Sequence, residues 1–283
     1  SGKSTLIRLL AQLGTPASGS ITIGGGARQD VRSLLGVVFQ SPALDPRLTV
    51  HENLACAARL QGLGRDETEQ RIRILVTRLE LADRLDARVQ SLSLGLARRV
   101  DLCRALIHQP RVLLLDEPTA GLDPAARERF IELIDSIRSE GAATVLMTTH
   151  LVDEADRADR VVLMHRGRIV ADGDPGTLRR RLGPRIVVVN GAEPPPGVPA
   201  NADRATNAEH ALTWQRRHGA WIAELENETQ AASCAVALLA QERSFSMAPP
   251  SLADLFAHLT GDVLETSSEE TAPDDHAAGR TRT

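Results

Sequence analysis

The chain opens on Ser1-Gly2-Lys3-Ser4-Thr5, which places a glycine, a lysine and hydroxyls just before the helix-forming segment Leu6–Leu10. A helix N-terminus on which successive backbone N–H groups converge is a site for anionic oxygens. In such a loop, which Ser1 opens, Gly2 allows close approach of the backbone, and Lys3 reaches β- and γ-phosphates. The Ser4 hydroxyl suits magnesium, and Thr5 continues the cradle. A second chemical set ends the run Val112-Leu113-Leu114-Leu115-Asp116-Glu117. A strand here delivers two carboxylates to its C-terminal end, where ligands sit in open α/β sheets. Asp116 suits magnesium through a water, and Glu117 suits the polarising of an attacking water, the positioning that phosphoryl transfer needs. Taken singly, each set has a bland alternative, a chance loop lysine or a solvated strand end.

Taken in order, the sets extend. Gln40 lies in Val37-Val38-Phe39-Gln40-Ser41, then come Leu92-Ser93-Leu94-Gly95-Leu96, the Asp116-Glu117 strand end, Gly121-Leu122-Asp123 and His150 in Thr148-Thr149-His150. This ordered series resembles the ATP-binding subunit of an ABC transporter, over residues 1–182. The resemblance implies that ATP and magnesium bind at Ser1, Gly2, Lys3, Ser4 and Thr5 with Asp116. It implies that Glu117 and His150 act on the γ-phosphate side, and that Gln40 senses magnesium and water and faces the membrane subunit. It places Ser93 and Gly95, together with Asp123, among the nucleotide-binding residues, Ser93 and Gly95 touching the γ-phosphate held by an opposing subunit. The family pattern is Leu-Ser-Gly-Gly followed by Gln or a variant, so Leu94 and Leu96 depart from it. Leu94 adds a branched side chain where close approach, and a glycine-only conformation, is expected.

Three further stretches narrow the likeness. Leu44-Asp45-Pro46-Arg47-Leu48-Thr49-Val50 with Glu52-Asn53-Leu54, Arg98-Arg99-Val100-Asp101-Leu102, and Pro249–Phe256 ending in Leu259-Thr260-Gly261 are similar to daunorubicin-resistance-type exporter ATPases. That likeness implies a homodimer bound to separate membrane permease subunits, exporting drugs, lipids or polysaccharides. Two other classes compete. One is an ATP-binding regulatory or assembly subunit with little hydrolysis; the other is a truncated, non-functional remnant. The short distance from Lys3 to Ser93 excludes the long coiled-coil insertion of a repair ATPase.

The elements that must position these residues follow from pattern. Val112–Leu115, Thr144–Met147 and Val161–Met164 are short apolar runs that suit strands of a parallel sheet buried on both faces. Phe130, Leu133, Ile134 and Ile137 repeat at helical spacing, behind Asp123 as candidate cap and Pro124 just inside. Leu54–Leu85 reads as mostly helical. The fold class expected is α/β, a P-loop NTPase parallel sheet with a helical subdomain at about 45–105, ahead of a small C-terminal α+β accessory domain. In that domain, residues 183–262, Ile186–Val189 reads as a strand, Thr213–Leu225 as a strand pair turning at His218-Gly219, and Ala231–Gln241 as a helix. Glu265–Thr283 lacks Leu, Ile, Val and aromatic residues, so residues 263–283 read as a disordered tail.

Composition bounds the partners. A net charge of −4 gives no electrostatic footprint for nucleic acid, and no apolar run approaches the roughly 18 residues of a bilayer span. Membrane work therefore requires other chains, with this one cytoplasmic and peripheral on the inner face of the membrane. Cys56, Cys103 and Cys234 lack metal-ligand spacing and read as reduced packing thiols. The first residue is not methionine and the first half of the phosphate loop is not in the sequence, so the start reads as internal. Nor is there an aromatic residue placed to stack on adenine: tyrosine is absent, and Trp214 and Trp221 fall in the accessory domain. The expectation is that the chain as given binds ATP poorly.

Overall fold

The computed structural model describes residues 1–23, 31–191, 195, 212, 214–217, 219–225 and 227–262, which form two compact units, Ser1–His150 and Leu151–Thr283. The expected tail, 263–283, lies outside the described residues, as do His218 and most of the proline-rich loop at 193–197.

The first unit runs α1 (Lys3–Leu10), α2 (Val31–Leu34), β1 (Leu35–Val38), α3 (Val50–Leu60), α4 (Arg65–Arg78), α5 (Leu94–Leu106), β2 (Val112–Asp116), α6 (Pro124–Ser139) and β3 (Thr144–Thr148). The three strands pair in parallel in the order β1-β2-β3, with Leu35 opposite Val112 and Asp116 opposite Thr148. Side chains alternate between faces along each strand. Leu35 and Leu114 meet Ile7 of α1 on one face. Val38, Leu113 and Leu115 meet Leu102, Phe130 and Ile134 of α5 and α6 on the other. Burial on both sides accounts for the apolar runs of β1 and β2, whereas β3 departs from the expected double burial, with Thr144 exposed and Leu146 40% exposed. The expected cap of α6 is in place, with the Asp123 carboxylate accepting from Ala126 N–H at 2.9 Å.

Helix α5 lies close on the edge strand. A Cβ added to Gly36 would stand 2.4 Å from the Ala105 carbonyl oxygen, so only glycine admits that approach. From α5 and the turn after it, donors reach alternate carbonyls of β1 and its continuation. His108 Nε2 lies 2.9 Å from Leu35 O, Arg104 Nη2 2.7 Å from Val37 O and Arg98 Nη1 2.7 Å from Phe39 O. Arg98 Nη2 also donates to Gln40 O. The outer edge of a strand exposes unpaired backbone groups, and here side-chain donors satisfy its carbonyls.

The second unit runs α7 (Val152–Asp156), β4 (Val161–His165), β5 (Arg168–Gly173), α8 (Pro175–Arg179), β6 (Arg185–Asn190), β7 (Trp214–Arg217), β8 (Ala220–Leu225), α9 (Glu228–Leu239), β9 (Phe245–Ala248) and α10 (Leu252–Thr260). Val161–Met164 is a strand, but it pairs antiparallel with β5 in a two-stranded sheet and does not extend the parallel sheet as expected. The cause is the turn between them. Arg166 and Gly167 both have positive φ, 47° and 77°, the backbone of a tight hairpin. The remaining strands make an antiparallel sheet, β7-β8-β6-β9, covered by α9 through Ala231, Cys234 and Leu238. Residues 151–182 share a core with α10, in which Leu178 and Leu182 pack with Leu252, Leu255 and Phe256. The contact boundary therefore falls at His150/Leu151, ahead of the compositional shift after Leu182.

Candidate functional site

The phosphate-loop pentapeptide folds as a helix entry. Gly2 is the N-cap of α1 with φ 96°, a left-handed backbone, and its carbonyl accepts the Leu6 N–H at 3.0 Å. No side chain caps this end, so the first amides of α1 have no side-chain acceptor on their own helix. Ile7 is fully buried and fixes the helix against the sheet.

Ser4 is joined to the end of β2. Its Oγ donates to Asp116 Oδ1 at 3.2 Å, across 112 residues of sequence. Asp116 is 6% exposed, and the same oxygen accepts from Thr148 Oγ1 at 2.7 Å. Glu117 follows with φ 46°, a left-handed conformation unusual for a residue with a side chain. Its N–H is shared between the Thr148 hydroxyl at 3.0 Å and the Thr148 carbonyl at 3.1 Å. His150, just beyond β3, brings Nδ1 to 3.8 Å from Glu117 Oε2. Parallel pairing of β2 and β3 thus gathers Ser4, Asp116, Glu117, Thr148 and His150 at one strand-end site.

A second cluster is built by the N-termini of α5 and α6. Ser93 caps α5, its Oγ accepting from Leu96 N–H at 3.3 Å, and Asp123 caps α6. A Cβ on Gly95 would stand 3.3 Å from Ala126 Cβ, so the two helix starts are closely packed. Leu94 is the first residue of α5 and has no positive φ, so its backbone does not require glycine. Its Cδ2 comes within 3.3 Å of where a Cβ on Gly121 would be, and Gly121 turns at φ 76°. Leu94 is nevertheless 44% exposed. Gln40 is exposed in the loop after β1, with its carbonyl held by Arg98. Burial pulls the Arg98 guanidinium below its ordinary value, opposed by Asp101, and it is 2% exposed.

Two of these residues carried no role in the sequence reading. Thr148 stood beside His150 in a recognised run, but its partners are set by strand register. Arg98 was read only as part of a family-like stretch, and nothing in a single sequence shows that it reaches a strand edge.

A helix entry that gathers backbone amides, a lysine and a hydroxyl, set against two strand-end carboxylates on a parallel sheet, defines a P-loop nucleotide triphosphatase. The ABC transporter family model matches residues 1–120. The chain is similar to the Nod factor export ATP-binding protein I of Rhizobium meliloti, 35% identical over 271 residues that cover 93% of this chain and 78% of that one. It is also similar to the daunorubicin/doxorubicin resistance ATP-binding protein DrrA of Streptomyces peucetius, 33% identical over 284 residues covering 97% of this chain and 85% of that one. Among solved structures, cbiO1 from Clostridium perfringens, part of the ABC transporter complex cbiONQ, aligns with a TM-score of 0.57 at 31% identity, covering 61% of this chain and 72% of that one. The chain belongs to the ABC transporter family, as an ATP-binding subunit with ATPase chemistry.

Proposed function

We propose that this chain binds and hydrolyses ATP to drive an ABC-type membrane exporter. The observation that carries the reading is the 3.2 Å contact between Ser4 Oγ and Asp116 Oδ1, which joins the phosphate loop to the carboxylate strand end. Export, rather than uptake, is supported by two relatives, one a Nod factor export protein and one a daunorubicin/doxorubicin resistance protein.

Magnesium fits the residues present. Ser4 and Asp116 offer adjacent hard oxygen donors, and a site with few protein ligands suits an ion that keeps waters and substrate phosphates as its others. Ser4 would hold the ion, with Asp116 reaching it through a water; when bound it neutralises charge on the transferring phosphoryl group.

The chain's own residues then divide the work. The α1 amides and Lys3 cradle the phosphates, with Ser1, Gly2 and Thr5 in the loop. Glu117 orients the attacking water and accepts its proton as the bond between the γ-phosphorus and the bridging oxygen breaks, giving ADP and phosphate. His150 stands beside that carboxylate and contacts the γ-phosphate. Gln40 senses water and magnesium. Two copies sandwich two nucleotides, each completed by Ser93 and Gly95 of the opposite copy with Asp123 at the same interface. Closure acts on permease subunits near Gln40 and the Ser41–Thr49 loop, and hydrolysis reopens the pair.

No helix among the described residues is long and apolar enough to cross a membrane. The proposed place is cytoplasmic, peripheral on the inner face beside the permease, with no nucleic-acid partner. We retain residues 1–182 as the ATP-binding domain, with its helical subdomain at about 45–105, and 183–262 as the accessory domain.

The test is phosphate release by the full-length protein and its Glu117→Gln variant. Loss of a positioned base is expected to slow turnover by about 10²- to 10⁴-fold; an unchanged rate contradicts the assignment. The exposed Leu94 side chain favours one second reading, a nucleotide-sensing subunit that hydrolyses little.

A further inference from the structure

We propose that Thr148 is a positioning residue for hydrolysis, whose single hydroxyl ties the magnesium-side carboxylate Asp116 to the backbone of Glu117. The inference rests on the ATPase reading above and adds a component to its site.

Thr148 ends β3, in register with Asp116 at the end of β2. It is 9% exposed, so water does not readily replace its contacts. A hydroxyl has one proton to donate and lone pairs to accept with. Here the proton goes to Asp116 Oδ1 at 2.7 Å, and the oxygen accepts the Glu117 N–H at 3.0 Å. The direction of the chain is fixed from the Glu117 amide through the Thr148 hydroxyl to the Asp116 carboxylate, because a carboxylate only accepts and an amide N–H only donates.

The left-handed backbone of Glu117 gives this chain a purpose. A glutamate at φ 46° persists only where its surroundings over-determine it. The Glu117 N–H is held at two points of one residue, by Thr148 Oγ1 and by the Thr148 carbonyl at 3.1 Å. On the other side, the Glu117 carbonyl accepts from Ala120 N–H at 3.2 Å. Both peptide groups flanking Glu117 are therefore fixed, and its carboxylate leaves the strand end in one direction. Asp116 Oδ1, shared by Ser4 and Thr148, is held at the same time. Valine has nearly the shape of threonine and suits a strand end equally well, so packing alone does not call for the hydroxyl. Its two simultaneous bonds do.

The experiment compares full-length parent, Thr148→Val and Thr148→Ser. It follows kcat and KM for ATP, the magnesium concentration at half-saturation of trinitrophenyl-ATP binding, and the thermal midpoint. A displacement of about 1 Å at a reacting group costs about 10²-fold in rate, so Thr148→Val is expected to lower kcat by about 10- to 100-fold. KM for ATP should move by less than about threefold, because the cradle of α1 is untouched. The valine variant should also need more magnesium for half-saturation, and Thr148→Ser should restore both values towards the parent. Parental kcat in Thr148→Val overturns the proposal, and so does a serine variant as slow as the valine one. A kcat loss accounted for by the unfolded fraction also overturns it. A parent that neither binds nor hydrolyses Mg-ATP removes the ATPase reading and the proposal together, whereas an active parent with an equally active valine variant removes the proposal alone.

Discussion

Leu94 stands at the start of α5 without disturbing the fold that carries it, 44% exposed. It begins α5 behind Ser93, in an ordinary helical backbone, and leans on the Gly121 turn. Its exposed remainder projects from the helix end that the proposed dimer places against the other copy's nucleotide. In that proposed dimer, a branched apolar group there would hold phosphate oxygens away from the helix-start amides of Leu94 and Gly95. Thus Leu94→Gly is expected to raise steady-state ATP turnover, by about tenfold for each 1.4 kcal/mol of closure regained. Turnover no faster than the parent's would show that the side chain is accommodated. At this scale the sequence was informative wherever neighbours in the chain act together. Lys3, Ser4, Asp116 and Glu117 belong to short contiguous runs, and their types and order carried the reading. Thr148 acts on Asp116 from 32 positions away, and only the pairing of β2 with β3 creates that contact.

Among elements, α5 carries the most consequence. It presents Ser93 at its start, fills the main core with Val100, Leu102 and Cys103, and leads into the donors that cover the edge of β1. His108 belongs to this cover. Burial pushes its imidazole below the ordinary value, partly offset by the Leu35 carbonyl that accepts from Nε2. Its Nδ1 is buried with no hydrogen-bond partner among the described residues, so a second proton would find no acceptor. The folded-state value is thus the lower one. The contribution of His108 to stability is whole above its unfolded value of about 6.5 and is lost as pH falls through the folded value. A replacement that does not titrate is available for a test: His108→Gln keeps a donor for Leu35 O. The melting temperature of the variant is expected to fall less steeply than the parent's below about pH 6.5. Parallel curves over that range would refute the linkage. Helices were legible because period and caps coincide, as for Asp123, Pro124 and the apolar positions of α6. Strand partners were less so. An apolar run such as Val161–Met164 announces a strand without naming its neighbour, and the Arg166-Gly167 turn decided that.

Across the whole molecule, the compact units divide at His150/Leu151 by packing, while the proposed functional domains divide after Leu182 by composition and likeness. The texture of the chain changes after Leu182, yet Leu178 and Leu182 lie in one core with Leu252, Leu255 and Phe256, contributed from α10 some way along the chain. Such a return is invisible to any local window. Phe256 is 6% exposed in that core and meets the His165 ring edge-on at a centroid distance of 5.8 Å. Phe256→Ala is expected to destabilise the second unit by about 3–5 kcal/mol, the usual loss for a buried aromatic. In hydrogen exchange, the amides of β4 and β5 should lose protection while those of β2 keep it. Uniform loss across both units would mean that they unfold as one.

The proposed engine is Glu117-assisted hydrolysis of ATP held between two copies of this chain. It is tested most directly by the solution mass of full-length Glu117→Gln with Mg-ATP, measured by light scattering beside phosphate release from the same sample. The prediction is a doubling of mass on adding ATP, with release slowed by about 10²-fold or more relative to the parent. An unchanged monomer mass, or release at the parental rate, would contradict it.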